Sequence, residues 1–452
     1  MKRLLLVVLM FFLCDLTFAQ DSLSLSEALD AALLSNLNIQ ISEIEVEKAT
    51  NSATRGNSGQ LPTLGIISSM HWAYNDVELT PGSFFQNLMN PGGGSQSPST
   101  ISYDGVYSTQ IQAGIGTEFV LFDGMKGYYR YKMLKSGQDM AGLNYRAKIE
   151  QTILNVTQRY VQVASLQKAI ELKKEALQQS LDRFKIVENR KEFGQVNEQQ
   201  YLQALADLKT DSTDYRKLQL NFSTAYRNLH LEIGWVKSDQ IPLEEEISLN
   251  FKLDYQELSE SLKKNNTLLA VREQKIKQVE LEQKLVKGNL YPTLKANAQY
   301  GYAYQTATDG QFETQEQLGV TGGLTLSIPI FSGGRTKSAS QNATASIKQD
   351  RLHSDQTKLQ LQAKFENTWE QYQFHKQQLA VEESNLTIYE RNYERAKDSF
   401  ERGLITGVEL RNAQLSLHHA RLKISETDYE IKLTQTTLLY LSGSLFYTNH
   451  VR

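Results

Sequence analysis

The sequence predicts a mixed α and β fold in which long antiparallel helical hairpins join four amphipathic strands. Three observations carry this expectation. The chain is internally duplicated, it holds two very long stretches without proline, and its hydrophobic period changes from helical to alternating inside each repeat.

The duplication is read at two spacings. At a spacing of 209, Phe122-Asp123-Gly124 meets Phe331-Ser332-Gly333, Gly194 meets Gly403, and Gly234 meets Gly443. Apolar positions correspond between them, as in Val156 with Phe365, Tyr160 with Trp369 and Val163 with Tyr372. Upstream the spacing is 230, matching Glu27 with Glu257, Asn36 with Asn266, and Pro62-Thr63-Leu64 with Pro292-Thr293-Leu294. The difference of 21 residues falls between 64 and 122, where Pro81-Gly82 and Asn90-Pro91-Gly92-Gly93-Gly94-Ser95 mark a longer loop in the first repeat. This loop is expected at an exposed surface. The first repeat is expected over 20–234, a linker over 235–253, the second repeat over 254–443, and a tail over 444–452.

Each repeat opens on a helix. Ser24-Leu25-Ser26-Glu27 has the form of a capping box, and Asp254-Tyr255-Gln256-Glu257 is similar. The helical pattern runs to about Arg55 and Lys287. Alternation then predicts strands over about 63–74 and 109–121, and over 293–304 and 317–330. In the second of these, Ile111, Ala113, Ile115, Thr117, Phe119 and Leu121 alternate with Gln110, Gln112, Gly114, Gly116 and Glu118. The aromatics Trp72, Tyr74, Tyr300, Tyr302 and Tyr304 cluster toward the loop ends, as an interfacial girdle does.

No proline occurs over 99–241 or 330–452, and proline inside a helix removes a hydrogen bond and clashes with the preceding turn. Helical hairpins are therefore predicted over 126–233 and 336–442. Ile149, Ile153, Val156, Tyr160, Val163, Ile170, Leu177, Leu181 and Phe184 recur as a coiled-coil seam. Phe365, Trp369, Tyr372, Leu379, Leu386, Tyr389, Tyr393 and Phe400 repeat it. A helix of 67 residues is about 100 Å long, which sets the turns far from the strands. Gly194 and Gly403 end the outgoing helices. Thr406-Gly407-Val408-Glu409 starts the return as a capping box, with Asn197-Glu198-Gln199-Gln200 as the looser counterpart.

The N-terminus reads as an address. Lys2 and Arg3 precede an apolar run from Leu4 to Leu13, and Thr17-Phe18-Ala19 offers a cleavage point, so 1–19 is predicted to be a signal peptide. Leu13 is a poor match to the small residue that precedes a lipidated cysteine, which argues against lipidation at Cys14. Cys14 is the single cysteine, which excludes a disulfide framework and a cysteine zinc site. A net charge of −3 gives no basic face for nucleic acid.

Strands of this length and alternation fit either a membrane barrel with a watered lumen or a soluble sheet with one buried face. Four strands cannot close a membrane barrel, so the membrane reading requires oligomerisation through the sheet.

Local motifs narrow this. Ile328-Pro329-Ile330-Phe331-Ser332-Gly333-Gly334 resembles the strand-to-helix junction of the TolC family of outer-membrane channel-tunnels. Phe400-Glu401-Arg402-Gly403-Leu404-Ile405-Thr406-Gly407-Val408-Glu409-Leu410 resembles that family's hairpin tip. The first repeat departs, lacking the junction proline and carrying Gly194-Gln195-Val196 at the tip.

The resemblance implies a homotrimer in the outer membrane, a twelve-stranded barrel over a helical periplasmic tube, and the work of a passive exit duct in efflux or type I secretion. It implies an inner-membrane transporter and a periplasmic adaptor as partners, with the adaptor at the tip residues Gly194, Gly403, Leu404, Ile405 and Thr406. It also implies carboxylate rings narrowing the pore; the corresponding positions here are Glu409 and Asn412, and in the first repeat Gln200 and Gln203. Glu409 equally fits the helix cap with Thr406. No catalytic or cofactor constellation is present: His418 and His419 point about 100° apart on a helix, and Gly92-Gly93-Gly94 lacks the Lys-Ser/Thr of a phosphate loop. The Glu244-Glu245-Glu246 run reads as a solvated linker. The rival reading is a periplasmic coiled-coil scaffold without a channel.

Overall fold

A computed structural model describes residues 22–80, 100–235, 241–244, 253–308 and 313–445. The expected signal segment with Cys14, the glycine-rich part of the first loop, much of the linker and the tail beyond Leu445 lie outside the described residues. The chain divides into two compact units, one formed by 1–48, 139–275 and 350–452, the other by 49–138 and 276–349.

The element order is α1 (Leu25–Ser35), α2 (Leu37–Ser52), β1 (Thr63–Leu79), β2 (Ile101–Phe122), α3 (Lys126–Glu192) and α4 (Glu198–Ile233), then α5 (Tyr255–Asn265), α6 (Thr267–Lys287), β3 (Thr293–Ala307), β4 (Thr314–Ser327), α7 (Arg335–Glu401) and α8 (Gly407–Leu441). The long helices α3 and α7 have 67 residues each.

The opening helix of each repeat is not continuous, contrary to expectation. It breaks at Asn36 and again at Asn266, which leave helical geometry at ψ 118° and 120°. The cause is a shared clamp. Asn36 Oδ1 accepts from the N–H groups of Asn38 and Ile39 while Nδ2 donates to the Glu232 carbonyl at 2.6 Å. Asn266 Oδ1 accepts from Leu269 N–H and Nδ2 donates to the Leu441 carbonyl at 2.8 Å. Each asparagine caps the helix that follows it and closes the end of its repeat's returning helix. Ser24 and Glu27 form the reciprocal box at α1, whereas at α5 only the Asp254 side chain bonds, to Glu257 N–H.

The helical unit's core joins both repeats. Val156, Tyr160, Val163, Phe365, Leu229 and Leu438 are at most 1% exposed. Tyr160 Oη donates to the Leu23 carbonyl at 2.7 Å, and Leu23 bridges in parallel to Leu243, which Gln167 holds from both sides. The seam drifts from the predicted positions. Past Val163 the buried stripe is Leu172, Ala176, Ser180, Arg183 and Val187, with Leu177, Leu181 and Phe184 only half buried. A nearly straight helix turns its seven-residue face by about 20° per heptad, so a long helix presents successive stripes to its neighbours.

The other unit carries an antiparallel sheet in the order β1-β2-β3-β4. Three of its strands outrun expectation, and β4 stops at Ser327 because Pro329 lacks a backbone donor. The β1–β2 pair continues as a two-stranded ribbon past Ser108, where β3 ends opposite at Ala307. A bulge between Asn75 and Val77 breaks the alternation there, and Asp76 Oδ1 accepts from Gly105 N–H at 2.8 Å. Trp72 and Tyr74 therefore sit at the end of the four-stranded part.

The repeat spacing is preserved in the register. Thr63↔Glu118 and Ile66↔Ile115 in the first repeat recur as Thr293↔Ser327 and Ala296↔Leu324 in the second. One face carries exposed Ile66, Met70, Trp72, Tyr300, Val320 and Leu324. Across the other run Gln110↔Gln305↔Gln315 and Gln112↔Ala303↔Gln317.

A test of the clamps uses glycine. A Cβ at Gly234 would stand 2.5 Å from the Ser35 carbonyl oxygen, and one at Gly443 2.4 Å from that of Asn265, whereas the tip glycines Gly194 and Gly403 face open space. All four have positive φ. Gly234→Ala and Gly443→Ala should therefore cost about 2 kcal/mol more than Gly194→Ala and Gly403→Ala in denaturant unfolding. Equal losses would show that the clamps are loosely packed.

Candidate functional site at the hairpin tips

The two tips share one construction despite their different sequences. Gly194 (φ 71°) and Gly403 (φ 75°) end α3 and α7 in left-handed conformation. Gly194 N–H bonds to Lys191 O and Gln195 N–H to Arg190 O, and Gly403 and Leu404 repeat this on Phe400 and Ser399, all at 2.8–2.9 Å. This pairing is a Schellman motif.

Both returning helices then open on full capping boxes. Thr406 N–H donates to Glu409 Oε2 at 2.8 Å while Glu409 N–H donates to Thr406 Oγ1 at 3.3 Å. Asn197 and Gln200 exchange the same bonds at 3.1 and 2.8 Å. The expected looser cap of the first repeat is thus structurally complete. The Thr406 backbone N–H and hydroxyl hold the Glu409 carboxyl below the usual carboxylate range.

A depression of about 380 Å³ brings together Glu409, Gln200, Gln203, Gly403, Leu404, Ile405 and Thr406. Gly194 and Asn412 do not line it, and Asn412 is exposed on α8. Gln203 Nε2 donates to Asp207 Oδ1 at 2.9 Å. His418, which the sequence offers as no metal ligand, is buried beside Gln179, with Nε2 3.0 Å from Oε1. Among the described residues no group of His, Cys, Asp or Glu is arranged to hold a metal ion.

Sequence reading misses the contacts that join the two hairpins. Arg190 donates to the carbonyls of Phe400 and Glu401 at 2.8 and 3.2 Å, and its guanidinium lies 4.8 Å from the Phe400 ring centroid. One hairpin thereby satisfies the end of the other's outgoing helix. Deeper along the helices, Arg183 is 3% exposed and pairs with Asp207 at 3.0 Å and with Gln414 of the second hairpin. Asp211, 1% exposed, receives Arg411 through both terminal guanidinium nitrogens and Lys173 at 3.2 Å.

Burial alone would raise the Asp211 carboxyl, but Arg411 and Lys173 outweigh it and the net shift is downward. Burial and the nearby Arg411 lower Arg183, against the opposing pull of Asp207 and Asp211. A charged residue in a buried stripe is the only sequence signal for this cluster, and the partners that join the two hairpins lie 200 and 231 residues apart.

The class this geometry defines is one of duplicated strand pairs joined to long helical hairpins. Residues 28–234 and 258–444 match the family of outer membrane efflux proteins, and the chain belongs to it. Similar solved structures include the Campylobacter jejuni CmeC outer membrane channel (TM-score 0.74, 17% identity, 93% of this chain and 86% of that one). The outer membrane protein VceC from Vibrio cholerae follows at TM-score 0.71 and 16% identity, over 93% of this chain and 96% of that one. The open-state MtrE channel of Neisseria gonorrhoeae has TM-score 0.71 and 15% identity, over 93% and 89%. Comparison with functionally curated proteins gave no match.

Replacing Asp211 tests the inter-hairpin cluster. Asp211→Asn leaves the partly buried Arg411 and Lys173 without the buried carboxylate they share and should cost about 3 kcal/mol in denaturant unfolding. Because the folded-state pKa of Asp211 is depressed, its contribution is present above the ordinary aspartate value near 3.9 and is lost as pH falls through the folded pKa. The gap between wild type and Asp211→Asn should therefore close in strongly acidic solution. A gap that is small at neutral pH, or unchanged by acid, would show the cluster to be screened.

Proposed function

We infer that this efflux-family chain is the passive outer-membrane exit duct of a tripartite assembly, working as a homotrimer. An inner-membrane transporter supplies the energy, and a periplasmic adaptor engages the hairpin tips. The cargo leaves either by small-molecule efflux or by type I secretion.

The observation that carries this reading is the open sheet. Four strands leave β1 and β4 each with one unpaired edge, and an apolar face lies exposed opposite a face of glutamine, serine and threonine. Unpaired strand edges and a large apolar face both demand partners. Among the described residues no helix is long and apolar enough to cross a membrane. Three copies make twelve strands, which falls within the range of closed membrane barrels.

The repeat register supports a specific closure. Within the chain the first repeat's exit strand pairs with the second repeat's entry strand, Ile115 opposite Tyr300. Shifting these positions by 209 and by 230 places Leu324 of one copy opposite Met70 of the next. A protein carrying both Leu324→Cys and Met70→Cys should form intermolecular disulfides on oxidation, in a ladder ending at three chains. The offset pair Val320→Cys with Met70→Cys should not. Monomers alone, or equal cross-linking of both pairs, would overturn the ring closure.

At the tips, the proposed pore role of Glu409 coexists with its cap. Three copies would set three carboxylates around the axis, held ionised by their caps, with Gln200, Gln203 and Asn412 contributing neutral groups. Glu409→Gln keeps the capping bonds, since glutamine also serves in a capping box. It should lower cation preference and divalent block in single-channel recordings at little cost in thermal stability, whereas Glu409→Ala should also destabilise. If Glu409→Gln leaves conductance and block unaltered, Glu409 is a cap only.

A further inference from the structure

The sheet-bearing unit has a one-way distribution of charge. No Lys or Arg occurs between Gly56 and Met125, and in the second repeat Lys295 is the only one between Gly288 and Gly334. Lys295 is paired with Glu118 at 2.7 Å. The far ends of the strands carry Asp76, Glu78, Asp104, Glu313 and Glu316. Past the other ends the sign reverses. Residues 126–138 hold four Lys and Arg and no carboxylate, and residues 335–349 hold three and none.

These cations are not placed for helix stability. Arg335 and Lys337 lie in the first turn of α7, which has no acidic residue, and positive charge at a helix N-terminus opposes the helix dipole. Both side chains are exposed, and neither forms an ion pair among the described residues. Beside them runs an apolar belt in which Ile330 is 97% and Phe331 87% exposed, continued by Met125, Leu290 and Tyr291. The belt outlasts packing of neighbouring elements. Leu121 and Phe122 hold the equivalent place in the first repeat, next to the second repeat's entry, and are still 48% and 40% exposed.

We propose that this collar of apolar side chains and unpaired cations binds the headgroups of anionic phospholipids in the periplasm-facing leaflet, the apolar belt entering the acyl boundary while Arg335 and Lys337 reach the phosphates. The proposal rests on the outer-membrane reading given above. A cation near an anionic lipid surface favours its partner about fivefold, and long basic side chains extend from apolar surface to headgroup level. The acidic far end repels the same lipids, so the charge gradient also fixes which way the sheet faces.

The test uses the full-length oligomer reconstituted in vesicles of phosphatidylethanolamine with a minor share of phosphatidylglycerol, then extracted in mild detergent, with bound lipid quantified by headgroup. Wild type should retain phosphatidylglycerol enriched about fivefold or more over the bulk. Arg335→Gln with Lys337→Gln should lose most of that enrichment, and Arg335→Lys should keep it. Glu313→Gln with Glu316→Gln, at the other end, should leave it unchanged. Oligomers of every variant are checked on the same gel, so the Arg335→Lys protein separates loss of charge from loss of folding. Insertion without enrichment, or equal enrichment in wild type and the Arg335/Lys337 double variant, overturns the proposal and leaves the channel reading standing. Failure of wild type to insert in any vesicle removes both.

Discussion

A four-stranded antiparallel sheet with two open edges and one uncovered apolar face is not a finished structure, and the rest of this chain is arranged around that incompleteness. Each strand pair is fed by a short helical segment and drained by a helix of 67 residues. The strands of the two repeats meet at β2–β3, although the connection between them runs through an entire helical hairpin. A strand edge left in water exposes a row of donors and acceptors to any chain that passes. Here the long edge strands carry no proline or lysine to blunt them, which is the pattern of an edge meant to be paired.

Much of this was legible because a duplication states each structural fact twice. A spacing of 209 and one of 230 predicted the repeats, and the same two numbers relate the strand registers. The long helices were legible from missing proline, and their turns from Gly194 and Gly403. The helix breaks were not. Asn36 and Asn266 were visible as a matched pair, but nothing local tells an asparagine in a helical pattern from one whose amide reaches a carbonyl 175 to 196 residues away.

The charged cluster was hidden for the same reason. Arg183 reads as a surface residue in a coiled coil, and only tertiary structure supplies Asp207 and Gln414. Pattern arguments also overstate a seam in a very long helix. The heptad positions Leu177 and Leu181 are apolar yet only half buried, because a helix that serves several neighbours rotates its contact face along its length. At the tips the sequence offered two roles for Glu409, and the structure realises the local one. A carboxylate fixed by backbone and hydroxyl donors stays ionised more readily, so the cap prepares the charge that a pore ring would use.

The two strand-to-helix junctions show how far a single chain satisfies itself. In the first repeat the turn is enclosed: a Cβ on Gly124 would lie 2.4 Å from the Gly288 carbonyl oxygen and 2.8 Å from Tyr291 Cβ. The equivalent Gly333 has nothing within 4 Å. The residues that enclose Gly124 belong to the entry of the second repeat, and the 230-residue spacing maps them onto Ser58 and Leu61 at the entry of the first. Leu61 is 54% exposed, as Tyr291 is at 56%, while Ser58 is buried. The exit of the first repeat is thus covered and that of the second is bare. In the proposed ring the bare exit would meet the entry of the next copy, since each copies a surface that already meets its counterpart inside the chain. Head-to-tail contacts of this kind close into a ring when the rotation permits. In that ring the β2–β3 pairing and the Gly124 junction would be the internal template for the contact between one copy and the next.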